Sequence, residues 1–424
     1  MNNKVCIIGA GSSGIATAKV FQDYGIAYDC FEKGSSIGGM WQYDNDNGLS
    51  SAYKSLHINT SKGKMSYSDY PMPNHFPEYP HHSHIIKYFN DYVDHFDFRQ
   101  NITFNTSVEK VNTNDDGTYE VQLSNGKSHT YKTVIVANGH HWQPNVVSFP
   151  GNFNGEITHT HYYRSPEHFV NKKVLVVGIG NSAVDIACEI SKLSKHTYLS
   201  TRNGAHIFPK YVLGKPLDTY NSALGASLPL FIQRSLFKIL LYLTRGKQES
   251  YGVKTPKFNI SQAHPTISEN FLNLVGHGAI KIKDNIKQLA GDSVIFEDDS
   301  QVSFDHIICA TGYNVSFPFF DQNFLPFRDN DIRLYHKIAS PDLPNLYFIG
   351  LIQPLGAMMP LAELQSKYIA QILTGKVTLP NPATMKKSID KDKKAMEKRY
   401  ISSKRHTLQV DFYPYQKQLL KAMR

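Results

Sequence analysis

Two glycine-rich segments have the residue types and spacing that let a polypeptide backbone approach a phosphate. The first reads Gly-x-Gly-x-x-Gly over residues 9–14, directly after the apolar run Val5–Ile8. The second reads Gly-x-Gly-x-x-Ala over residues 178–183, directly after Val174–Val177. In such strand–turn–helix segments the pyrophosphate of a dinucleotide rests on the amino end of the helix. Two of them predict two dinucleotides bound side by side, with a hydride passing from one to the other.

The residue that ends the second strand of each pattern indicates which dinucleotide is held. In the first pattern this residue is Glu32, whose carboxylate accepts hydrogen bonds from ribose hydroxyls and repels a 2′-phosphate, which fits FAD. The equivalent stretch of the second pattern is Ser200–Asn203, where Arg202 can form a bidentate contact with a 2′-phosphate. One charge-assisted contact contributes about 1.5–3 kcal/mol, roughly a 10- to 150-fold preference. The second site therefore favours NADPH over NADH.

The elements around these segments predict an α/β fold with two Rossmann-like dinucleotide-binding domains. Each glycine segment opens a helical pattern that leads to a second strand, which completes a β–α–β unit. We expect an FAD-binding domain built from residues 1–160 and 308–424, and an NADPH-binding domain over residues 161–307. A region of about residues 215–265 fits neither unit and is predicted to be a mostly helical insertion in the second domain.

Four further segments carry a resemblance to a known family. Residues 153–163 read Phe-x-Gly-x-x-x-His-x-x-x-Tyr, and Asn59 opens the stretch Asn-Thr-Ser-Lys. Residues 310–313 read Ala-Thr-Gly-Tyr, and residues 350–356 read Gly-Leu-Ile-Gln-Pro-Leu-Gly. Together with the two glycine segments, this set resembles the flavin-containing monooxygenases over nearly the whole chain. No membrane anchor follows the last residue, so the expectation is a soluble, bacterial-type member of that family.

The resemblance implies an FAD-dependent NADPH monooxygenase. In that family NADPH reduces FAD, and NADP⁺ stays bound while O₂ adds to flavin C4a. The resulting C4a-hydroperoxyflavin oxygenates soft nitrogen or sulfur atoms, as in tertiary amines and sulfides. Asn59 is then the candidate catalytic residue, because it would hold the peroxide or the nicotinamide amide beside it. The residues expected to line FAD are Gly9, Gly11, Gly14, Glu32, Gly39, Trp41 and Gln353. The residues expected to line NADPH are Tyr163, Gly178, Gly180, Asn181, Ser182, Ala183, Thr201 and Arg202.

Two other activities stay open. The related Baeyer–Villiger monooxygenases, which oxidise ketones, usually carry Trp in a longer version of the 153–163 signature, so Tyr163 favours heteroatom oxygenation. A two-dinucleotide reductase that passes electrons to a partner would use neither this signature nor Asn59. The four cysteines are isolated in sequence, which argues against a dithiol redox centre.

Composition and sequence patterns limit the binding partners and the cellular location that we expect for the protein. The formal net charge is +9, but no nucleic-acid-binding motif accompanies it, so no nucleic-acid partner is expected. No metal site is predicted, because the cluster His81, His82 and His84 lacks a thiolate partner and zinc spacing. The absence of a leader segment favours a cytoplasmic protein. Polar residues interrupt the apolar run 228–243, so contact with a membrane surface is disfavoured, and a homodimer remains open.

Overall fold

The computed structural model describes residues 4–327, 330–401 and 407–424. Its helices are α1 (Ser12–Asp23), α2 (Lys62–Met65), α3 (His82–His95), α4 (Asn181–Ile190), α5 (Ala223–Ala226), α6 (Leu230–Arg245), α7 (Phe271–Gly276), α8 (Met359–Leu373), α9 (Pro382–Arg399) and α10 (Phe412–Ala422). Its strands are β1 (Val5–Ile8), β2 (Tyr28–Phe31), β3 (Ile102–Thr103), β4 (Val108–Thr113), β5 (Tyr119–Leu123), β6 (Ser128–Tyr131), β7 (Val134–Val136), β8 (Gln143–Pro144), β9 (Gly151–Phe153), β10 (Glu156–His159), β11 (Lys173–Val177), β12 (His196–Ser200), β13 (Ile207–Phe208), β14 (Tyr211–Val212), β15 (Lys215–Pro216), β16 (Thr266–Ile267), β17 (Ile280–Lys283), β18 (Ile286–Gly291), β19 (Ser293–Phe296), β20 (Gln301–Ser303), β21 (His306–Cys309), β22 (Tyr313–Asn314), β23 (Leu346–Phe348), β24 (Gln353–Leu355) and β25 (Gln409–Asp411).

The chain divides into two compact units, and each is discontinuous in sequence. The first unit comprises Met1–Ala52, Leu56–Gln143 and Asn314–Arg424, and the second comprises Tyr53–Ser55 and Pro144–Tyr313. These limits differ from the predicted boundaries at 160/161 and 307/308. The reason is that β10 lies beside β21 in a parallel pair, which ties the residues around 156–159 to the second unit.

The first unit is built on a parallel sheet of strand order β23-β7-β1-β2-β3. Its central strand β1 is buried along its full length, which its uninterrupted apolar sequence dictates. Helix α1 packs beside α8, where the Thr17 and Ser366 hydroxyl oxygens lie 3.1 Å apart. This packing fixes the helix that begins at the first glycine turn.

The second unit repeats the arrangement with a parallel sheet of order β10-β21-β11-β12-β17. Strand β11 is buried over its last four residues and leads through the second glycine turn into α4. Because all five strands run parallel, their carboxyl ends meet at one edge of the sheet. The turn after β11 and the residues after β12 therefore lie at that edge.

The predicted insertion contains α6 as its longest element. Several apolar side chains of α6 face solvent, among them Phe231 at 68% and Leu243 at 76% exposure, whereas Leu241 is buried. Within residues 4–327, 330–401 and 407–424, no helix combines the length and the apolar character needed to cross a lipid bilayer.

Candidate dinucleotide and catalytic sites

The first glycine turn brings the backbone of the first unit into contacts that a side chain would block. Gly9 has a φ of +98°, and a Cβ on it would lie 2.9 Å from the carbonyl oxygen of Ala137. A Cβ on Gly14 would lie 1.9 Å from the carbonyl oxygen of Gly9. Gly11 precedes α1 without a side-chain cap, so the first N–H groups of the helix stay available to an anion.

Glu32 lies directly after β2, and its carboxylate faces the glycine turn. The N–H of Ala10 donates to Oε2 at 2.8 Å, and the N–H of Gly34 donates to Oε1 at 2.9 Å. The side chain is buried, and this burial raises the pKa of Glu32 against the lowering effect of the two backbone donors. Each carboxylate oxygen accepts more than one hydrogen bond, so capacity remains for a ribose hydroxyl.

The loop that contains Gly39 and Trp41 lies against the same turn. Gly39 has a φ of +54°, and a Cβ on it would lie 3.2 Å from the Cα of Gly11. Trp41 is half-buried at the end of the short helix that this glycine begins. Gln353, the other residue expected to line FAD, is half-buried at the start of β24 in the same unit.

The C-terminal part of the chain also reaches α1, through Gly350, to which the sequence analysis gave no role of its own. A Cβ on Gly350 would lie 2.1 Å from Ser13 Oγ, so only glycine allows this approach. The N–H of Gly350 donates to Gln365 Oε1 at 2.9 Å, and Gln365 donates to the Tyr415 hydroxyl at 2.8 Å. The signal for this contact was present in the sequence, because Gly350 opens the 350–356 segment.

Asn59 carries a buried polar atom that the protein does not satisfy. Its Oδ1 is inaccessible to solvent and has no hydrogen-bond partner among the described residues. Lys62 anchors the loop by donating to the carbonyl oxygens of Asn74 at 2.8 Å and Phe76 at 2.6 Å. A buried acceptor without a donor costs about 1–3 kcal/mol, so a fixed loop that retains one points to a ligand that supplies the donor.

The second glycine turn has the same geometry as the first. Gly178 has a φ of +119°, and a Cβ on it would lie 2.6 Å from the carbonyl oxygen of Ala310. Gly180 precedes α4 without a side-chain cap, and Ala183 is fully buried under the turn. The side chain of Asn181 is held by the segment that leads into β16, because its Oδ1 accepts the N–H of Ile267 at 2.7 Å and its Nδ2 donates to the carbonyl oxygen of Pro265 at 3.3 Å.

Three predicted NADPH contacts lie at the accessible side of this turn. Ser182 is exposed in the first turn of α4. Thr201 follows β12 and accepts the N–H of Gly204 at 3.1 Å. Arg202 is exposed and has no hydrogen bond or ion pair with any described residue. Its guanidinium is thus available to an anionic group.

Tyr163 is buried, and its hydroxyl is directed at α4. It donates to Glu189 Oε2 at 2.8 Å, and its ring lies 6.0 Å from that of Tyr53. Tyr53 in turn donates to Asp185 Oδ2 at 2.7 Å, and burial raises the pKa of Asp185. The sequence analysis did not single out Tyr53 or Asp185, since no motif contains them.

The contacts of His159, in the 153–163 signature, are with other residues of the second unit and indicate a structural role. Its Nδ1 accepts the N–H of His161 at 3.1 Å, and its ring lies edge-on to Tyr313 at 5.4 Å. Burial lowers the pKa of His159 to about 4, so the ring is neutral at neutral pH. These contacts hold together the part of the second unit that lies next to Tyr313, the last residue of that unit.

The comparisons with known proteins agree with one another. A family model described as flavin-binding monooxygenase-like matches residues 2–424. The chain is 37% identical over 436 residues to flavin-containing monooxygenase 5 of Cavia porcellus, covering 96% of this chain and 80% of that protein. It is 35% identical over 436 residues to the N-oxide-forming dimethylaniline monooxygenase 2 of Mus musculus, covering 98% and 81%. Among solved structures, S-allyl-L-cysteine S-oxygenase from Allium sativum superimposes with a TM-score of 0.75 at 26% identity, covering 99% of this chain and 88% of that one.

The fold and the two glycine turns define a flavoprotein with two dinucleotide-binding domains. The chain belongs to the flavin-binding monooxygenase-like family. It is an FAD-dependent NADPH monooxygenase that uses O₂ as co-substrate, which confirms the activity and cofactors implied by the resemblance. The expectation of a bacterial-type member stays a prediction.

Proposed function

We propose that this monooxygenase oxygenates soft nitrogen or sulfur atoms of small molecules such as tertiary amines and sulfides. The names of two relatives support this substrate class, since one forms N-oxides and the other oxygenates sulfur. The observation that carries the proposal is the buried, unpartnered Oδ1 of Asn59. FAD supplies, when bound, the redox chemistry that takes a hydride from NADPH and activates O₂.

The first unit is proposed to hold FAD. Its pyrophosphate would lie on the amino end of α1, which Gly9 and Gly14 keep open, and the Glu32 carboxylate would accept from the ribose. The glycines fit this ligand, because any Cβ at those two positions would collide with backbone atoms. Gly39 and Trp41 would cover the cofactor from the loop beside the turn.

The second unit is proposed to hold NADPH. The amino end of α4 would receive the pyrophosphate, and Arg202 would bind the 2′-phosphate with its guanidinium. Tyr163 would contribute by fixing α4 through Glu189, so its role in cofactor binding is positional. Thr201 would hold the loop after β12 in the shape that presents Arg202.

Asn59 is proposed to accept a hydrogen bond from a bound cofactor or oxygen species. An amide at this position stays neutral at every working pH, so it orients a donor without removing its proton. The loop around it is anchored through Lys62, which keeps Oδ1 in place before the ligand arrives. Loss of this acceptor would leave hydride transfer intact and weaken the control of oxygen transfer.

The experiment is a stopped-flow and product assay on the FAD-loaded enzyme and its Asn59→Ala variant. Productive turnover consumes NADPH, O₂ and a proton for each oxygenated substrate and releases NADP⁺ and water. Uncoupled turnover releases hydrogen peroxide instead of product. We expect Asn59→Ala to retain flavin reduction by NADPH and to release hydrogen peroxide in most turnovers. Any transient absorbance band that appears between reduced and oxidised flavin should have a shorter lifetime in the variant.

Asn323→Ala is the matched control, because Asn323 is an exposed asparagine of the same unit that takes no part in anchoring the Asn59 loop. It should behave as the parent enzyme. Product from an amine and a sulfide but not from a cyclic ketone would support the substrate class, and the reverse would favour the Baeyer–Villiger alternative. Unchanged product formation in Asn59→Ala would remove Asn59 from the reaction.

Location and partners beyond the substrate are further proposals. All four cysteines are free thiols, which suits the reducing cytoplasm that we propose for the enzyme and that cell fractionation would test. That contact with a membrane surface is disfavoured stays a prediction, and formation of a homodimer stays open. The exposed apolar side chains of α6 give the place to test both, by vesicle flotation and by sedimentation.

A further inference from the structure

Three side chains of the second unit that play no part in the proposed oxygenation converge on one point. The potential ligand atoms of Glu156, His168 and His306 all lie within 4.8 Å of one another. Glu156 Oε2 lies 3.3 Å from His306 Nδ1 and 3.4 Å from His168 Nε2. We propose that these three residues bind a divalent first-row transition-metal ion, with Zn²⁺ as the probe and water completing the coordination.

The separations match those between ligands of one metal ion. Zn²⁺ binds imidazole nitrogen at about 2.0–2.1 Å and carboxylate oxygen at about 2.0–2.2 Å in a tetrahedron, which places neighbouring ligand atoms about 3.4 Å apart. Both separations from Glu156 Oε2, 3.3 Å and 3.4 Å, agree with this value. They are longer than the usual 2.7–3.2 Å of an N–H···O hydrogen bond.

His306 supplies an independent observation. Its side chain is almost fully buried, and its Nδ1, which faces Glu156, has no hydrogen-bond partner. Its Nε2 lies 2.8 Å from the Thr158 hydroxyl, so the far side of the ring is fixed. A second partner that orients the imidazole is typical of metal-binding histidines.

His168 also presents a lone pair at this point. Lys172 Nζ lies 3.1 Å from His168 Nε2, and an ammonium group can only donate, so this nitrogen is the acceptor. The Lys172 ammonium therefore occupies the lone pair of His168 Nε2 that a metal ion would take. Both residues are near the surface, which allows Lys172 to move aside when an ion binds.

The position in the fold separates this site from the dinucleotide. Glu156 and His306 are register partners at the amino ends of the parallel strands β10 and β21, so their side chains share one face of the sheet. Gly178 follows the carboxyl end of β11, at the opposite edge. At about 3.3 Å per residue, a strand of four residues separates the two edges by roughly 10 Å. The metal would thus link β10, β21 and the segment around His168. It would stabilise the second unit without taking part in the oxygenation reaction.

The test is a calorimetric titration of the FAD-loaded, chelator-treated enzyme with ZnCl₂. We expect one saturable site per chain and a melting temperature that rises by roughly 5 °C at a hundredfold excess over the dissociation constant. His168→Ala and Glu156→Gln change exposed side chains, so both variants should fold as the parent does. Each should weaken Zn²⁺ binding at least about tenfold. Lys172→Met should strengthen binding, because it removes the competing ammonium.

His196→Ala is the matched control, since His196 is an exposed histidine on β12 of the same sheet. It should bind Zn²⁺ as the parent does. Absence of a saturable site would overturn the proposal, and so would equal affinities for the parent, His168→Ala and Glu156→Gln. Co²⁺ in place of Zn²⁺ should show visible d–d bands in the parent that are lost in His168→Ala. These readouts do not depend on monooxygenase activity, so the proposed function can fail or stand separately.

Discussion

The substitution Glu32→Gln tests how the first glycine turn holds its ligand. The Glu32 carboxylate accepts the N–H of Ala10 at 2.8 Å and the N–H of Gly34 at 2.9 Å, one on each oxygen. Glutamine has a single acceptor oxygen, so one of the two buried N–H groups must face an amide NH₂. The change keeps the size of the side chain and removes its charge, so it acts on the hydrogen bonds of this carboxylate, to the two backbone N–H groups and to a bound ribose.

The expected magnitude has two parts. A buried donor left without an acceptor costs about 1–3 kcal/mol, and loss of the desolvated charge offsets some of that cost. We expect the unliganded first unit to lose about 2 kcal/mol of its free energy of unfolding, or roughly 4–8 °C in melting temperature. A lost charge-assisted contact to the ribose would weaken FAD binding by a further 10- to 150-fold, about 1.5–3 kcal/mol.

Two measurements separate these parts. Differential scanning fluorimetry of the FAD-free protein gives the melting temperature, and quenching of flavin fluorescence on titration gives the dissociation constant for FAD. Glu363→Gln is the control, because Glu363 is a buried carboxylate of the same unit whose partners lie outside the turn: it accepts the N–H of Ser68 at 2.7 Å and pairs with the Lys367 ammonium. It should lower the melting temperature by at least as much as Glu32→Gln, because the ion pair is lost as well, and leave FAD affinity unchanged once folding is allowed for.

Two outcomes would contradict this role for Glu32. If Glu32→Gln melts like Glu363→Gln and also binds FAD as tightly as the parent, the carboxylate only closes the turn and does not contact the ribose. A melting temperature equal to that of the parent would refute the first part instead, because it would mean that the two backbone donors find other acceptors.

Two further predictions concern the second unit. Arg202→Ala should raise the KM for NADPH by roughly 10- to 150-fold and leave that for NADH nearly unchanged, whereas Lys192→Ala, at an exposed lysine after α4, should change neither. Equal changes for the two cofactors would remove Arg202 from the phosphate site. Burial lowers the pKa of His159 to about 4, below the usual value near 6.5, so its neutral form stabilises the fold above pH 6.5 and that stability is lost as the pH falls from 6.5 toward 4. The melting temperature should fall over this range and fall less steeply in His159→Gln; parallel curves for the two proteins would contradict the assignment.

The parts of the fold that could be predicted from the sequence are those set by local backbone geometry. Gly9 and Gly178 occupy positive φ angles at the ends of apolar strands, and a Cβ at either site would collide with the neighbouring strand's continuation. The turn at a glycine in that context can therefore be predicted without knowledge of the rest of the chain. The same holds for Glu32, which the strand pattern places directly after β2 and beside the turn.

The parts that could not be predicted depend on partners far away in sequence. Strand β10 reads as a short polar segment, and only its pairing with β21 assigns it to the second unit. The metal-binding geometry proposed for Glu156 and His306 arises from the same pairing, because the register places them opposite each other. Neither contact leaves a spacing signal in the chain, which is why the sequence analysis predicted no metal site.

The environment of Asp185 explains why the second unit takes a short segment from within the N-terminal part of the chain. Asp185 lies on α4, the helix whose amino end forms the second glycine turn; the residue is half-buried, and the desolvation of its carboxylate raises its pKa. A buried carboxylate without a partner costs several kcal/mol, so the hydrogen bond from Tyr53 at 2.7 Å is needed to keep it there. Tyr53 belongs to the three-residue segment Tyr53–Ser55, which packs with the second unit although both flanks belong to the first. The helix that is proposed to receive the NADPH pyrophosphate is therefore stabilised by a residue only six positions before Asn59, and residues 144–313 alone would lack that contact.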